Sequence, residues 1–352
     1  MAFSRMLRCV IVLAIAGLMS SGAGARDREF VDATGRKVEV PERVQRVMAA
    51  GPTAAVVLYV LAPDKMVGWP SAPRPNEREF ILPAARDLPE LGRLTGRGDT
   101  ANIEVVLKAK PDLVFDFGSV TPTFASLAER VQDRTGLPYV LIDGRLDQTA
   151  SGLRAIGAVL GVTERAEAVA RYVEATERLI DERLKDIPVS ARRKVYLARQ
   201  PNGLETGLTG SINTEIIERA GGVNVAEYGH ARGIANVSIE QVLAWAPDTV
   251  ITWDPNFFAN YASDPAWAVV PAVQQKRVFL APRLPFGWID APPSINRIIG
   301  LRWIAGLLYP DKFPEDIRAQ AREFIKLFYQ VDVTDAQLDH ILAGAQPGGR
   351  GR

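Results

Sequence analysis

The chain has 352 residues, enough for two domains of ordinary size, and its 47% apolar and 24% charged residues are typical of a folded globular protein. This composition excludes disordered and fibrous classes. The net charge of +1 offers no broad basic surface to hold a nucleic-acid backbone, so no nucleic-acid partner is expected.

The first 25 residues have the features of a cleavable export signal. Arg5 and Arg8 form a basic start, CVIVLAIAGLM is a short apolar core, and Ala23-Gly24-Ala25 is typical of a cleavage site. The apolar core is too short for a membrane-spanning helix. With a signal of this bacterial type, the mature chain is expected to begin near residue 26 and to be periplasmic.

The residues after this signal predict strands and helices in the quick alternation of an α/β domain. A polar hairpin is expected around Thr34, followed by a strand over residues 46–50, a helix over 54–61 and a strand over 66–69. A proline-rich surface excursion over residues 70–89 comes next.

One short pattern occurs twice in the chain. NIEVVLKAKPDLV returns as SIEQVLAWAPDTV, with 240 − 104 = 136 residues between the glutamates Glu104 and Glu240. Each copy predicts a capped short helix, a stop at Pro-Asp and a buried strand, which is one step of a parallel sheet. The offset far exceeds the roughly 20 to 50 residue period of a solenoid. The pattern therefore predicts two similar lobes, each with its own sheet.

A long amphipathic helix is predicted midway between the two copies, over residues 163–186. At roughly 1.5 Å per residue it is on the order of 36 Å long, and such a rigid connection is expected to limit movement between the lobes. The predicted fold class is α/β: two Rossmann-like lobes with parallel sheets joined by one long backbone helix, with a ligand cleft between them. We assign residues 26–162 to the N-terminal lobe, 187–345 to the C-terminal lobe, and 346–352 to a disordered tail.

The sequence motifs that mark common enzymes are absent. There is no G-x-S-x-G elbow, no G-x-x-x-x-G-K-[ST] loop, no G-x-G-x-x-G after a strand and no H-E-x-x-H. Cys9, the only cysteine, lies in the export signal, so neither a disulfide nor a lipid anchor is expected. His230 and His340 are the only histidines, which disfavours a bare metal site, and no cofactor is expected. A secreted α/β enzyme without a recognisable motif remains an alternative.

Four features in this order resemble one family: the segment DATGRKVEVPERVQRVMAAGPTAAVVLYVLAPDKMVGW, the doubled I-E-x-V-L with P-D-x-V, the mid-chain helix and the closing LYPDKFPED. The chain resembles the periplasmic substrate-binding proteins of ABC importers with a helical backbone, over essentially the whole mature chain. The resemblance implies a monomeric, non-enzymatic protein that delivers a small-molecule ligand to a permease dimer in the inner membrane. A sensor subunit that docks on a receptor is a further possibility.

The same resemblance implies a role for the repeated glutamates. Glu104 and Glu240, one on each lobe, are expected to meet arginines on the two permease subunits, since a two-fold permease needs equivalent charges on both lobes. In the alternative reading each glutamate only complements the dipole of its helix, by about 0.3 to 1 kcal/mol.

The ligand is expected in the cleft, beside the loops that follow the carboxyl ends of the strands. Arginines there would pair with anionic groups and aromatic rings would cover an organic shell, which suits an anionic metal chelate.

A ferric siderophore or similar iron complex is the first expectation for the ligand. Molybdate or tungstate is second, because the segment ARQPNGLETGLTGS supplies backbone N–H groups near a helix start. Nickel or cobalt chelates and cobalamin follow, and directly ligated haem is disfavoured. The candidate ligand-binding residues are Trp69, Arg93, Arg97, Arg199, Tyr228, Trp253, Arg283 and Trp288.

Overall fold

The computed structural model describes residues 27–96, 103–229 and 231–345. The predicted export signal, Arg97, His230 and the predicted tail lie outside these residues. The N-terminal lobe and the helix after it contain β1 (Arg28–Val31), β2 (Lys37–Val40), β3 (Val47–Ala49), α1 (Pro52–Leu61), α2 (Pro75–Arg78), α3 (Pro83–Arg86), α4 (Ile103–Ala109), β4 (Leu113–Gly118), α5 (Pro122–Thr135), β5 (Tyr139–Asp143), α6 (Thr149–Leu160) and α7 (Thr163–Leu184).

The C-terminal lobe contains β6 (Lys194–Ala198), β7 (Glu205–Gly207), α8 (Glu215–Arg219), β8 (Val223–Asn224), β9 (Ile234–Asn236), α9 (Ile239–Trp245), β10 (Thr249–Thr252), α10 (Pro255–Asn260), α11 (Pro265–Ala268), α12 (Pro271–Gln274), β11 (Val278–Leu280), α13 (Arg297–Leu308), α14 (Ile317–Tyr329) and α15 (Asp335–Ile341). Single 3-10 turns occur at Pro63–Lys65, Leu146–Gln148 and Val189–Ala191.

Two parallel sheets confirm the predicted α/β class. The N-terminal sheet has the strand order β3-β4-β5 and the C-terminal sheet the order β11-β10-β6-β8. The predicted hairpin around Thr34 is the antiparallel pair β1-β2, and β7 and β9 form a second antiparallel pair. The strand expected over residues 66–69 is reduced to isolated bridges. Its two ends pair with different parts of the chain, Met66 with Val47 and Trp69 with Glu90.

The repeated sequence forms equivalent units in the two lobes, α4 followed by β4 and α9 followed by β10. The carboxylate of Asp112 accepts hydrogen bonds from the backbone N–H groups of Gln45 and Arg46, both at 2.8 Å. Asp248 accepts one from Lys194 N–H at 3.0 Å. Each aspartate thereby fixes the start of the neighbouring parallel strand, β3 or β6. The Pro-Asp part of the repeat thus has a structural cause within each lobe.

The two lobes share one continuous core. Helix α7 begins at Thr163 as predicted and ends at Leu184, two residues before the predicted end, and its residue Val173 is fully buried. The same hydrophobic cluster includes residues of the N-terminal lobe, of α7 and of the C-terminal helices. Tyr59 of α1 donates its hydroxyl proton to the carbonyl of Tyr329 in α14 at 2.9 Å. Helices α7 and α14 therefore both connect the lobes. Within the described residues, no helix has the length and apolar character needed to cross a bilayer.

Candidate functional site

A cavity of about 540 Å³ lies between the two lobes. Its walls come largely from loops that follow the carboxyl ends of β3, β4, β6 and β10, where an α/β fold places its ligand. The lining residues are Pro52, Thr53, Arg93, Thr95, Gly96, Asp116, Phe117, Gly118, Ser119 and Phe124 from the N-terminal lobe, and Arg199, Gln200, Ile212, Asn213, Ile234, Trp253, Asp290, Ala291, Pro292 and Pro293 from the C-terminal lobe.

The N-terminal wall presents the first turns of two helices to the cavity. Pro52 and Thr53 begin α1, Phe124 lies in the first turn of α5, and no side chain caps either helix. The loop before α1 passes close to its neighbour: a Cβ on Gly51 would lie 2.4 Å from Thr95 Oγ1. Glycine therefore permits the approach that brings α1 to the cavity. Backbone N–H groups in a first turn favour an anion.

Asp116 places a buried carboxyl group in the same wall. Its Oδ2 accepts the hydroxyl proton of Tyr139 at 2.9 Å, and its Oδ1 accepts the N–H of Phe117 at 2.9 Å and the hydroxyl of Thr95 at 3.3 Å. Burial raises the pKa of Asp116, and these hydrogen bonds oppose the rise. The carboxyl group is thus held in one orientation at the end of β4.

A buried ion-pair network forms part of the C-terminal wall. Arg199, the residue after β6, donates from Nη1 to Glu205 Oε1 at 2.7 Å. Its Nε lies 2.7 Å from Asp290 Oδ2, close enough for an ion pair but outside hydrogen-bond geometry. Asp290 Oδ1 accepts from Asn213 Nδ2 at 2.7 Å and from the N–H of Ala291 at 2.8 Å. The guanidinium charge of Arg199 is therefore held and offset by two carboxylates.

Two guanidinium groups lie over the Trp253 ring. Arg199 Cζ is 5.8 Å and Arg283 Cζ 5.5 Å from the ring centroid, within the range of a cation–π contact. Burial lowers the pKa of Arg283, and the neighbouring Arg74 lowers it further. Trp253 lines the cavity, whereas Arg283 is not among the lining residues.

Of the eight candidate ligand-binding residues, Arg93, Arg199 and Trp253 line the cavity. Two others are core residues: Trp69 is 2% exposed and donates its indole N–H to Ala85 O, and Trp288 is 0% exposed and donates to Leu284 O. The prediction for these two tryptophans requires correction, because at a strand end and in a loop each ring packs inward. Tyr228 is exposed and does not line the cavity, and Arg97 lies outside the described residues.

Sequence reasoning missed three cavity residues that carry polar chemistry. Asp116 lies within an apolar strand pattern, and Asn213 and Asp290 lie in segments with no motif. The signal that could have found Asp116 is a lone carboxylate in the buried run LVFDFG. Within the described residues, no group of three or more histidine, cysteine, aspartate and glutamate side chains could hold a metal ion.

The position of the two tryptophans predicts opposite effects of substitution. Trp288→Ala is expected to lower the free energy of unfolding by about 3 to 5 kcal/mol, because it empties a fully buried site. Trp253→Ala is expected to cost less stability and to weaken ligand binding, since its ring is half-buried and lines the cavity. Urea unfolding and ligand titration of both variants measure the two effects. A binding loss in a fully folded Trp288→Ala protein together with unchanged binding by Trp253→Ala would contradict this assignment.

The repeated glutamates lie on the surface, outside the cavity lining. Glu104 and Glu240 are exposed residues in the first turns of α4 and α9. A hydrogen bond from the Ser238 side chain lowers the pKa of Glu240, which favours its charged form. Ser238 also caps α9 by accepting the N–H of Gln241. Each lobe therefore presents a glutamate at the same place in an equivalent helix.

The chain matches the model of the periplasmic binding protein family over residues 47–284. It is 26% identical to the molybdate-binding protein MolA of Haemophilus influenzae over 92% of this chain and 97% of that protein. An ABC transporter solute binding protein of Sulfurospirillum deleyianum superimposes with a TM-score of 0.82 at 30% identity, over 89% of this chain and 98% of the other. MolA bound to molybdate superimposes with a TM-score of 0.73 at 25% identity, over 88% and 99%.

Proposed function

The chain belongs to the periplasmic binding protein family, and we propose that it captures molybdate or a similar oxyanion for an ABC importer. One observation carries this choice of ligand: the cavity is lined by the uncapped first turns of α1 and α5. Although each turn begins with a proline, which has no N–H, its remaining unpaired N–H groups and the positive end of the helix dipole favour an anion. The similarity to a molybdate-binding relative over nearly the whole chain supports the same choice. The oxyanion thus replaces the iron complex as the first candidate.

A ferric chelate is the second candidate, and the size of the cavity favours it. A volume of 540 Å³ falls within the roughly 300 to 1,000 Å³ of pockets that bind organic ligands, and it is far more than a bare oxyanion fills. Much of the lining is apolar, including Phe117, Phe124, Ile212 and Ile234. Such walls suit a ligand with an organic shell.

The role proposed for Glu104 and Glu240 is contact with the permease. Both side chains are exposed, both lie outside the cavity lining, and both occupy the first turn of an equivalent helix. Within its own lobe each glutamate complements the dipole of its helix, which requires an acidic residue at that place in neither lobe. A partner with two equivalent subunits gives a further reason for the same charge on both lobes.

Ligand identity is tested by thermal unfolding and intrinsic tryptophan fluorescence of the exported protein with a panel of ligands. The panel contains molybdate, tungstate, sulfate, ferric citrate, a ferric hydroxamate, a ferric catecholate, haem, cobalamin and nickel. Molybdate and tungstate are expected to raise the melting temperature saturably; at 100 times the dissociation constant the gain is about 2.7 kcal/mol. A response to ferric chelates alone would overturn the oxyanion and favour the second candidate. Chemical turnover of a bound compound would instead support an enzyme.

A matched pair of variants at the cavity edge tests the charge of the ligand. Ile234 lines the cavity and is 41% exposed, so a polar side chain fits there without burial cost. Ile234→Glu is expected to weaken molybdate binding about tenfold through charge repulsion, while Ile234→Gln retains affinity. Equal effects of both substitutions on a molybdate-binding protein would argue against recognition by charge.

A further inference from the structure

The guanidinium group of Arg297 joins the two lobes through hydrogen bonds. Arg297 begins α13 and is 1% exposed. Its Nη2 donates to the carbonyl of Gly144 in the N-terminal lobe. Its Nη1 donates to Ile212 O at 3.0 Å and to Glu215 Oε1 at 2.5 Å, both in the C-terminal lobe. One buried cation therefore has partners on both sides of the cleft.

Glu215 makes a second contact between the lobes. The same Oε1 that accepts from Arg297 also accepts the backbone N–H of Leu146, at 3.0 Å, from the turn after β5. Burial lowers the pKa of Arg297, and the charge of Glu215 opposes this effect. We call the group of Arg297, Glu215, Gly144 and Leu146 the interlobe clamp.

The interlobe clamp is bonded directly to both cavity walls. Ile212, whose carbonyl accepts from Arg297, lines the cavity in the C-terminal lobe. Gly144 donates its N–H to the carbonyl of Gly118, a lining residue of the N-terminal lobe, at 2.8 Å. The contact is tight, because a Cβ on Gly144 would lie 2.8 Å from Gly118 Cα and 3.2 Å from Ile212 Cδ1. A shift of the interlobe clamp would therefore move the lining residues Ile212 and Gly118, one in each wall.

We propose that Arg297 and Glu215 are positioning residues that set the separation of the cavity walls and so control ligand release. Helices α7 and α14 hold the lobes together through apolar packing, which is non-directional. Directed hydrogen bonds from a buried guanidinium fix the angle between the lobes, since an unpaired charge in this place is costly. The effect on ligand release rests on the proposed function, whereas the effect on wall separation does not.

The test compares Glu215→Ala and Glu215→Gln with Glu218→Gln as a control. Glutamine keeps an oxygen that accepts from Leu146 and Arg297, so Glu215→Gln is the conservative variant. Glu218 lies on the same helix, and burial raises the pKa of its carboxyl, so a neutral glutamine suits that position. Spin labels on Val120→Cys and Val269→Cys, both at exposed positions, report the distance between the lobes; the expected mature chain has no other cysteine, because Cys9 lies in the predicted export signal.

Glu215→Ala is expected to broaden the interlobe distance distribution without ligand and to raise the molybdate dissociation rate about tenfold. Glu215→Gln is expected to show a smaller change and Glu218→Gln none. A folded Glu215→Ala protein with the parental distance distribution would overturn the clamp. If Glu215→Ala does not fold, the interlobe distance distributions of the variants Arg297→Lys and Glu215→Gln test the clamp instead. Failure of the parental protein to bind molybdate would refute the proposed ligand. The interlobe distance distributions would still test the clamp in that case, because they are measured without ligand.

Discussion

Replacing Glu104 and Glu240 together by alanine is expected to abolish ligand uptake by cells and to leave ligand affinity unchanged. Both carboxylates are exposed and lie outside the cavity, so their loss removes a docking charge from each lobe without altering the walls. Charges at the edge of an interface guide association and registration of the partners. Uptake assays and ligand titration of the same double variant measure the two quantities.

Glu164 provides a matched control for this experiment. It is an exposed glutamate in the first turn of α7, so it shares the helix position and the dipole contribution of about 0.3 to 1 kcal/mol. Glu164→Ala should leave uptake intact, and the single variants of Glu104 and Glu240 should fall between the parent and the double variant. Normal uptake by a stable double variant would refute the docking role.

Arg199→Ala is expected to lower the free energy of unfolding by about 3 to 5 kcal/mol, because it leaves the buried carboxylates of Glu205 and Asp290 without their cation. Ligand binding should fall in the same variant, since Arg199 lines the cavity and lies over the Trp253 ring. Urea unfolding followed by circular dichroism measures the stability.

The cause of this loss is separated from simple truncation by a compensated variant. Arg199→Met combined with Glu205→Gln and Asp290→Asn removes all three charges and should recover most of the lost stability but not the binding. Arg171→Ala is the surface control: Arg171 is 75% exposed in its ion pair with Glu167, so a change of about 0 to 1 kcal/mol is expected. A loss as small for Arg199→Ala as for Arg171→Ala would show that the buried network contributes little.

The doubled sequence shows which structural features can be predicted from a local sequence pattern. Periodicity and Pro-Asp stops predicted two helix–strand units, and they appear as α4–β4 and α9–β10. The pattern could not predict why the aspartates are repeated, because Asp112 and Asp248 accept hydrogen bonds from backbone N–H groups that are 54 to 67 positions away in the chain. Such pairs exist only after parallel strands have come together.

The sequence by itself determined the α/β class, the two sheets and the long helix, because these follow from short-range periodicity and from a repeat that can be read directly. It also placed Arg93, Arg199 and Trp253 at the cleft, where they line the cavity, and their contact with a ligand stays a prediction. Only the tertiary structure decided that Trp69 and Trp288 point into the core and that Asp290 meets Arg199. The direction of a side chain and the partner of a buried charge depend on packing between segments far apart in the chain, and no local pattern encodes them.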